Sequence, residues 1–364
     1  MASMYDSDSD SKPVNEEGDH PWKEAINKGY GTTGLSKMRL RALPKAFIQP
    51  PEKRSSSMIR ASSQASGDTI PIIDMSKAEA AELICEAAEK WGFFQVINHG
   101  VPAVLMSDVM HAARRFLGQA AEEKRRFLKE NTSCSNVVYM TSFFAEAEKG
   151  LEWSDYLSMN FVSEEEAYAF WPAISKDATI EYLKSSNTLI KRVLKILMNK
   201  LNANELDETN QTRRIQFNYY PISPTPDLSV GVRSHSDVSL LTVLLQDDVG
   251  GLHVRREIDS KGDEWVQVKP VAESLVINIG DFLEIMSNGI YKSVEHCVVS
   301  NGNIDRMSIP IFVGLQNSPT IGPLPEVLAT GKKAEYKEVV FSDYIKYFLN
   351  KPLDGKSTLK LAKI

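Results

Sequence analysis

Residues 231–247, GVRSHSDVSLLTVLLQD, join a His-Ser-Asp triplet to a long apolar run. In an extended segment side chains alternate faces, so His235 and Asp237 would point the same way as two potential metal ligands, while Ser236 would face away and be largely replaceable. The triplet alone is weak evidence, because a chain with six histidines contains a His-x-Asp readily by chance. A turn that leads into a buried strand is the ordinary alternative.

A second histidine, His296 in YKSVEHCVV, falls on a separate predicted strand further along the chain. Two histidines and one carboxylate form the facial triad of non-haem Fe(II) oxygenases, which leaves positions open for a bidentate co-substrate and O2. A structural zinc site would instead be closed by four protein ligands. We therefore predict that His235, Asp237 and His296 bind Fe(II) as the catalytic centre. Strand alternation turns Cys297 away from this metal.

Arg306 and Ser308 share a strand face in RMSIPIFVG. A guanidinium grips a carboxylate with two donors, and a hydroxyl can add a third. A 2-oxo acid that chelates iron needs such a partner for its far carboxylate, and Asn218 and Tyr220 in FNYYP could supply further hydrogen bonds. Taken singly, a surface salt bridge at Arg306 and an aromatic core strand at NYYP are the simpler explanations. Their combination with the triad favours a co-substrate site.

The elements that would position these residues divide the chain into regions. Residues 211–318 consist of short β-branched or aromatic runs separated by Gly, Pro, Asn and Asp, which predicts a jelly-roll sandwich or barrel. Residues 26–210 are helix-rich with a few strands, and 319–364 form an extension with a helix near 341–350. The acidic, Ser-rich residues 1–25 are expected to be disordered. The predicted class is α+β.

Composition excludes several classes of function. The chain is 42% apolar and 25% charged with a net charge of −6, so no overall basic field favours nucleic acid or anionic membrane. No apolar run approaches the roughly 18 residues of a membrane span, and the N-terminus lacks the features of a signal peptide. Three widely spaced cysteines form neither a disulfide framework nor a zinc motif. We expect a cytoplasmic monomer with no nucleic-acid or membrane partner.

From about residue 28 to Ile364 the sequence resembles the plant Fe(II)/2-oxoglutarate-dependent dioxygenases. The family order of Asn-Tyr-Tyr-Pro, His-x-Asp, a distant His and Arg-x-Ser is present, although Cys297 stands where the family usually has Arg and Ser223 where Cys is common. The resemblance implies a double-stranded β-helix core with Fe(II) on the triad and 2-oxoglutarate on Arg306 and Ser308. It further implies O2 as a substrate and ascorbate as a supporting reductant.

Within that family the closest resemblance is to feruloyl-CoA ortho-hydroxylases, which open the route to coumarins such as scopoletin. It is carried by ALPKAFIQP, AAEKWGFFQVINHGVP, TSFFAEAEKGLEWSDYLSMNFVSEEEAYAFWP and NSPTIGPLPEVLATGKKAEYKEVVFSDYIKYF, several of which coumarin 8-hydroxylases share. The implied activity is ortho-hydroxylation of a hydroxycinnamoyl-CoA. Hydroxylation, demethylation or desaturation of another coumarin, flavonoid or alkaloid is an alternative. A non-catalytic ligand-binding protein on a dioxygenase scaffold is another.

An aromatic substrate would need apolar contacts. Phe312 shares the Arg306 face, and with Phe143 or Phe144 it is a candidate to stack on the acceptor ring, although ordinary core packing explains these residues equally well. A CoA thioester would also need cations, for which a solvated surface is the default explanation. The available clusters are Lys37, Arg39 and Arg41, and Arg213 with Arg214.

Overall fold

Short strands from distant parts of the chain build the core. The computed structural model describes residues 21–54, 69–142, 150–258, 262–316, 320–350 and 355–364. In this part of the chain the strands are β1 Ile72–Asp74, β2 Phe93–Ile97, β3 Val137–Thr141, β4 Asp155–Phe161, β5 Gln211–Tyr220, β6 Val232–His235, β7 Leu241–Gln246, β8 Leu252–Ile258, β9 Gly262–Gln267, β10 Leu275–Ile279, β11 His296–Val298, β12 Arg306–Leu315, β13 Thr320–Ile321 and β14 Val339–Val340.

Two sheets face each other across a shared apolar layer. The eight-stranded sheet has the order β1-β2-β10-β7-β12-β5-β4-β3, the four-stranded sheet has the order β6-β11-β8-β9, and β13 pairs with β14. Val254 and Val298 of the smaller sheet meet Tyr220 and Val276 of the larger one in a single buried cluster. This arrangement is a jelly roll of the double-stranded β-helix type within an α+β protein, as the sequence predicted.

Helices cover the outer face of the larger sheet. The described helices are α1 Pro21–Asn27, α2 Gly31–Lys37, α3 Ala80–Lys90, α4 Ala103–Leu117, α5 Ala121–Arg125, α6 Glu164–Phe170, α7 Lys176–Lys200, α8 Asp281–Met286, α9 Pro325–Leu328 and α10 Phe341–Leu349. The apolar residues of α7 recur at helical spacing and are buried, among them Ile190, Leu194 and Leu197. None of these described helices is both long and apolar enough to cross a membrane.

The N-terminal helices are bound tightly to the sheet. Helix α1 already occupies residues that the sequence predicted to be a disordered tail, and its Ala25 is buried beside Phe47. Asp155 of β4 is fully buried and accepts hydrogen bonds from the backbone N–H groups of Thr32 and Thr33 at 2.9 and 2.8 Å. The Thr141 hydroxyl donates to the same carboxylate at 2.6 Å. One carboxylate therefore joins α2 to β3 and β4.

Helix α8 holds the C-terminal segment, which we define as residues 320–350 and 355–364. Asp281 accepts a hydrogen bond from the Tyr344 hydroxyl at 2.8 Å. Glu284 accepts one from the Tyr336 hydroxyl and lies 3.1 Å from the Lys356 ammonium group. Both carboxylates are buried, so the C-terminal segment is fastened at three points to a helix that lies between β10 and β11 in the chain.

Candidate active site

Two histidines face each other at the end of the smaller sheet. His235 is the last residue of β6, His296 is the first of β11, and the antiparallel pairing sets them directly opposite. The Nδ1 atoms lie 2.8 Å from the Arg233 carbonyl oxygen and 3.1 Å from the Val294 carbonyl oxygen, respectively. A carbonyl oxygen only accepts, so each Nδ1 must donate, and Nε2 is the atom of each imidazole that is left to bind a metal.

Asp237 reaches the same point by a route that differs from the predicted one. The apolar run is not continuous with His235, since β6 ends there, the chain turns over 236–240, and the run forms the separate strand β7. The prediction that one continuous strand carries His235, Asp237 and the apolar run is therefore wrong. Hydrogen bonds orient Asp237 instead: the Thr242 hydroxyl at 2.6 Å and the Asn278 amide at 2.9 Å both donate to Oδ2.

These three side chains fit a divalent iron. Oδ1 of Asp237 lies 3.6 Å from Nε2 of His235 and 3.6 Å from Nε2 of His296, and two atoms bound to one ion at about 2.1 Å each can be at most about 4.2 Å apart. Burial, aided by the neighbouring His235, lowers the pKa of His296 to about 4. Burial would raise the pKa of Asp237, but the two imidazoles outweigh it and hold that pKa below its usual range. The site thus offers a neutral imidazole and an ionised carboxylate.

Ser236 does face away from the cluster, but it is not a free surface residue. Its side chain is hydrogen-bonded to Asp281 of α8, and only 3% of the residue is exposed. The backbone N–H of Asp281 also donates to the Asp237 carbonyl oxygen at 2.8 Å. The turn that carries Asp237 is therefore held against α8, which contradicts the expectation that Ser236 is largely replaceable.

The predicted co-substrate residues line one cavity together with the histidines. Arg306 of β12 is paired with Tyr220 of β5, and Ser308 with Asn218. Arg306 is 2% exposed, and its Nη2 donates to the Gln246 side chain at 2.9 Å. Nε and Nη1 of Arg306 are buried without a hydrogen-bond partner among the described residues. Buried guanidinium donors without an acceptor are unfavourable, and their geometry fits a carboxylate.

Tyr220 completes the floor of this end of the cavity. Its ring centroid lies 5.0 Å from the guanidinium carbon of Arg306. Burial raises the pKa of Tyr220, although the positive charge of Arg306 and a hydrogen bond with Ser308 act in the opposite direction. The phenol therefore stays protonated and can donate. Asn218 is less available, since its side-chain oxygen accepts from Gln216 at 2.7 Å.

At the other end the cavity is aromatic. Phe312 lines it, as do Phe93 and Phe348, and the Phe93 ring meets His296 edge-on at a centroid distance of 5.1 Å. Phe143 and Phe144 lie outside the described residues. Of the predicted cations, Arg213 contacts Asn187 and Gln211 and does not line the cavity. Lys37, Arg39 and Arg41 are exposed and do not line it either.

Sequence reasoning named Arg214 only as one of several cations for a CoA thioester, and it missed Glu152 altogether. The Arg214 guanidinium lies inside the cavity, 4.3 Å from the Phe312 ring centroid, and has no hydrogen-bond partner in the described ranges. Glu152 also lines the cavity and is ion-paired with Arg233 at 3.6 Å. Thr242 was also missed, because uninterrupted alternation from Asp237 would place it on the opposite face, whereas β7 begins only after the turn at 236–240. The roles of Arg214 and Glu152 depend on sheet register, for which the sequence has no local signal.

Comparison with known proteins agrees with this geometry. A family profile described as the 2OG-Fe(II) oxygenase superfamily matches residues 212–315, and one described as the N-terminal region of a non-haem dioxygenase in morphine synthesis matches residues 70–174. Feruloyl CoA ortho-hydroxylase 1 of Arabidopsis thaliana is 51% identical over 347 residues, which cover 93% of this chain and 94% of the relative. The chain belongs to the 2OG-Fe(II) oxygenase superfamily.

Two further relatives extend this comparison. The bi-functional coumaroyl CoA and feruloyl CoA ortho-hydroxylase Diox4 of Ruta graveolens is 48% identical to this oxygenase, with coverage of 95% of this chain and 96% of the relative. The crystal structure of JOX2 in complex with 2OG, Fe and JA matches with a TM-score of 0.80 at 30% identity, covering 92% of this chain and 97% of that one. The protein is thus an Fe(II)- and 2-oxoglutarate-dependent dioxygenase with a small-molecule substrate.

Proposed function

We propose that this dioxygenase hydroxylates the ortho carbon of a hydroxycinnamoyl-CoA thioester, with feruloyl-CoA as its main substrate. The observation that carries the proposal is the 51% identity to a feruloyl CoA ortho-hydroxylase across 93% of the chain. Such similarity extends beyond the residues that would bind iron and 2-oxoglutarate, which are shared by oxygenases that act on different substrates. We further propose that the protein is a cytoplasmic monomer. Light scattering would test the oligomeric state, and a fluorescent fusion would test the location in the cell.

The cavity is too small to enclose a whole CoA thioester. Its volume is about 120 Å³, whereas pockets that enclose a whole drug-sized ligand measure roughly 300–1,000 Å³. An aromatic ring that enters from the Phe312 side would lie between Phe312 and the edge of Phe93, beside the histidines. The nucleotide of the thioester must then stay outside the cavity.

We propose that His235, Asp237 and His296 hold the Fe(II). Bound Fe(II) and 2-oxoglutarate activate O2, so that one oxygen atom enters succinate, which forms with loss of CO2, and the other becomes the new hydroxyl group. The chain fixes the geometry of this centre before the metal binds. The carbonyl groups of Arg233 and Val294 orient the imidazoles, and Thr242 and Asn278 orient the carboxylate.

We propose that Arg306 binds the far carboxylate of 2-oxoglutarate through its two unpaired donors, with Ser308 and Tyr220 as additional donors and Asn218 beside them. Gln246 supports this role because its side-chain oxygen holds the third guanidinium nitrogen in place.

At the opposite end we propose that Arg214 binds an oxygen of the substrate, since a hydroxycinnamoyl group offers phenolic and carbonyl acceptors. Phe312 holds the Arg214 side chain against the cavity wall.

The test is product analysis by mass spectrometry. Purified enzyme with Fe(II), 2-oxoglutarate and ascorbate would receive feruloyl-CoA, p-coumaroyl-CoA, free ferulate or scopoletin. We expect ortho-hydroxylated feruloyl-CoA, formed in step with succinate. Hydroxylation of free ferulate or scopoletin in preference to the thioester would show that the proposed substrate is wrong while the reaction class stands.

Variants of the triad provide the control for this assay. Asp237→Ala and His235→Ala should lose turnover by at least about a thousandfold, because each removes a metal ligand. Asp108→Ala, which changes an exposed carboxylate on α4, should keep the rate of the unaltered enzyme. Full 2-oxoglutarate-dependent activity in either triad variant would contradict the assignment of the iron site.

A further inference from the structure

A groove lined mainly by basic side chains lies beside the three candidate iron ligands, on a protein whose net charge is negative. Seven lysine and arginine side chains and only two carboxylates line it, and its volume is about 550 Å³. The whole chain has a net charge of −6, so this local excess of positive charge is opposite in sign to the average surface. We call this feature the basic groove; its lining includes Lys292, Lys356, Lys360, Arg255, Arg256 and Trp91.

Some of these cations are already neutralised within the fold. Arg255 is ion-paired with Glu295 at 2.8 Å and also contacts Asp263. Lys356 lies 3.1 Å from Glu284. These pairs account for both carboxylates that line the basic groove, and they hold its walls rigid.

Lys292 and Lys360 differ from Arg255 and Lys356. Both are exposed and line the basic groove, and neither has an ion pair within the described part of the chain. Their ammonium groups come from different elements, since Lys292 precedes β11 and Lys360 lies in the C-terminal segment. Two unpaired cations that converge from separate elements are suited to an anion that bridges them.

The basic groove also offers a flat surface for stacking. The guanidinium carbon of Arg256 lies 4.3 Å from the Trp91 ring centroid. The backbone brings Trp91 close to the strand of His296, because Gly92 has a φ of +61° and a Cβ on it would lie 2.1 Å from the Lys292 carbonyl oxygen. An indole and a guanidinium in contact form the kind of surface on which a nucleobase stacks.

The chain connects the basic groove directly to the candidate iron ligands His235 and His296. Glu295, which lines the groove, immediately precedes His296. Gly355 forms a bridge with His235, and the next residue, Lys356, lines the groove. The C-terminal segment borders both spaces, since Phe348 lines the active-site cavity. Both spaces therefore border the strands that carry the two histidines and the described parts of the C-terminal segment.

We propose that the basic groove binds the 3′-phosphoadenosine diphosphate part of coenzyme A while the acyl group occupies the cavity. The inference rests on the proposed function, which places a CoA thioester in this enzyme and leaves its nucleotide outside the cavity. Lys292 and Lys360 bind phosphate oxygens, and the adenine stacks at Trp91 and Arg256. The flexible pantetheine arm joins the two sites.

The experiment compares substrates with and without the nucleotide. The variant Lys292→Glu with Lys360→Glu would be assayed with feruloyl-CoA and with the N-acetylcysteamine thioester of ferulate, which lacks the nucleotide. We expect the KM for feruloyl-CoA to rise by about tenfold or more, with little change in kcat and no change in the KM for the truncated thioester. Lys37→Glu with Arg41→Glu is the control, because it alters charge equally at exposed sites outside both cavities.

A second measurement separates this inference from the proposed function. Titration calorimetry with free CoA and with dephospho-CoA measures binding to the iron-loaded enzyme without turnover. We expect CoA to bind more tightly than dephospho-CoA, and the double variant to lose that difference. Equal KM values in the double variant and the control, or CoA binding that the variant leaves unchanged, would overturn the groove assignment. Absence of turnover with any CoA thioester would overturn the proposed function instead.

Discussion

Two arginines that line the same cavity differ in the residues that lie opposite them on the neighbouring strand. Arg306 and Arg214 lie on the neighbouring strands β12 and β5, and both line the cavity. Arg306 is paired with Tyr220 and held by Gln246, whereas Arg214 is paired with Phe312 and lies over its ring. The first is surrounded by hydrogen-bonding groups and the second by an aromatic surface. They are therefore expected to bind different ligands.

Lysine substitutions would test this division of roles. Arg306→Lys should raise the KM for 2-oxoglutarate by about 10- to 100-fold, because loss of a two-donor contact to a carboxylate costs roughly 1.5–3 kcal/mol. Arg214→Lys should raise the KM for the aromatic substrate and leave that for 2-oxoglutarate within about twofold. Steady-state kinetics with each ligand varied in turn would measure both values. The same change in both variants would argue against separate sites.

At the scale of elements, buried carboxylates connect parts of the chain that the hydrophobic core alone would leave weakly joined. Asp155 holds the short helix α2 against β3 and β4. Asp281 and Glu284 of α8 hold the C-terminal segment and the turn after His235. In each case a strand or helix at the edge of the active site is fixed by hydrogen bonds from a distant segment.

The variant Asp155→Asn should lower the free energy of unfolding by about 2–4 kcal/mol. An amide nitrogen would replace one acceptor oxygen and face the N–H and O–H donors that now satisfy the carboxylate. Urea denaturation would measure the loss. The control is Asp248→Asn, an exposed residue in a turn, which should change the stability by less than about 0.5 kcal/mol. Equal stability of the two variants would show that Asp155 has no such structural role.

At the scale of the whole molecule, the sequence predicted the jelly-roll core, the helices α4, α7 and α10, and several residues that line the cavity, among them His235, His296 and Arg306. These features follow from periodicity and from motifs in which chemistry dictates the residue type. It did not predict that β6 stops at His235, since the alternating pattern reads through the turn at 236–240. It did not assign Glu152, and it took Arg214 for a surface cation and Ser236 for a replaceable residue, because strands and helices far away in sequence create their environments.

Stability of the whole fold should also depend on the protonation of His99, in the turn between β2 and α4. Burial lowers the pKa of His99, and its Nδ1 accepts the backbone N–H of Val101 at 3.1 Å, so protonation breaks this hydrogen bond. Because the folded pKa lies below the unfolded value of about 6.5, the stabilisation is complete above that pH and is lost as the pH falls below it.

Urea denaturation at pH 7.5 and pH 5 would measure this dependence. The difference in stability between the unaltered protein and His99→Gln should be largest at the higher pH and should shrink at the lower one. His111→Gln, which changes an exposed histidine on α4, should track the unaltered protein at both values. A difference for His99→Gln that is independent of pH would contradict the role of its protonation.

The fastening of the C-terminal segment to α8 has a consequence for how such enzymes diversify. Phe348 and Lys356 belong to this one stretch near the end of the chain, one beside the cavity and the other in the basic groove. The three iron-binding candidates all lie outside it. Mutation or recombination in the part of the gene that encodes residues 320–364 can therefore change which molecule is admitted while the oxygen chemistry is inherited intact, provided that Tyr336 and Tyr344 keep their hydrogen bonds to α8.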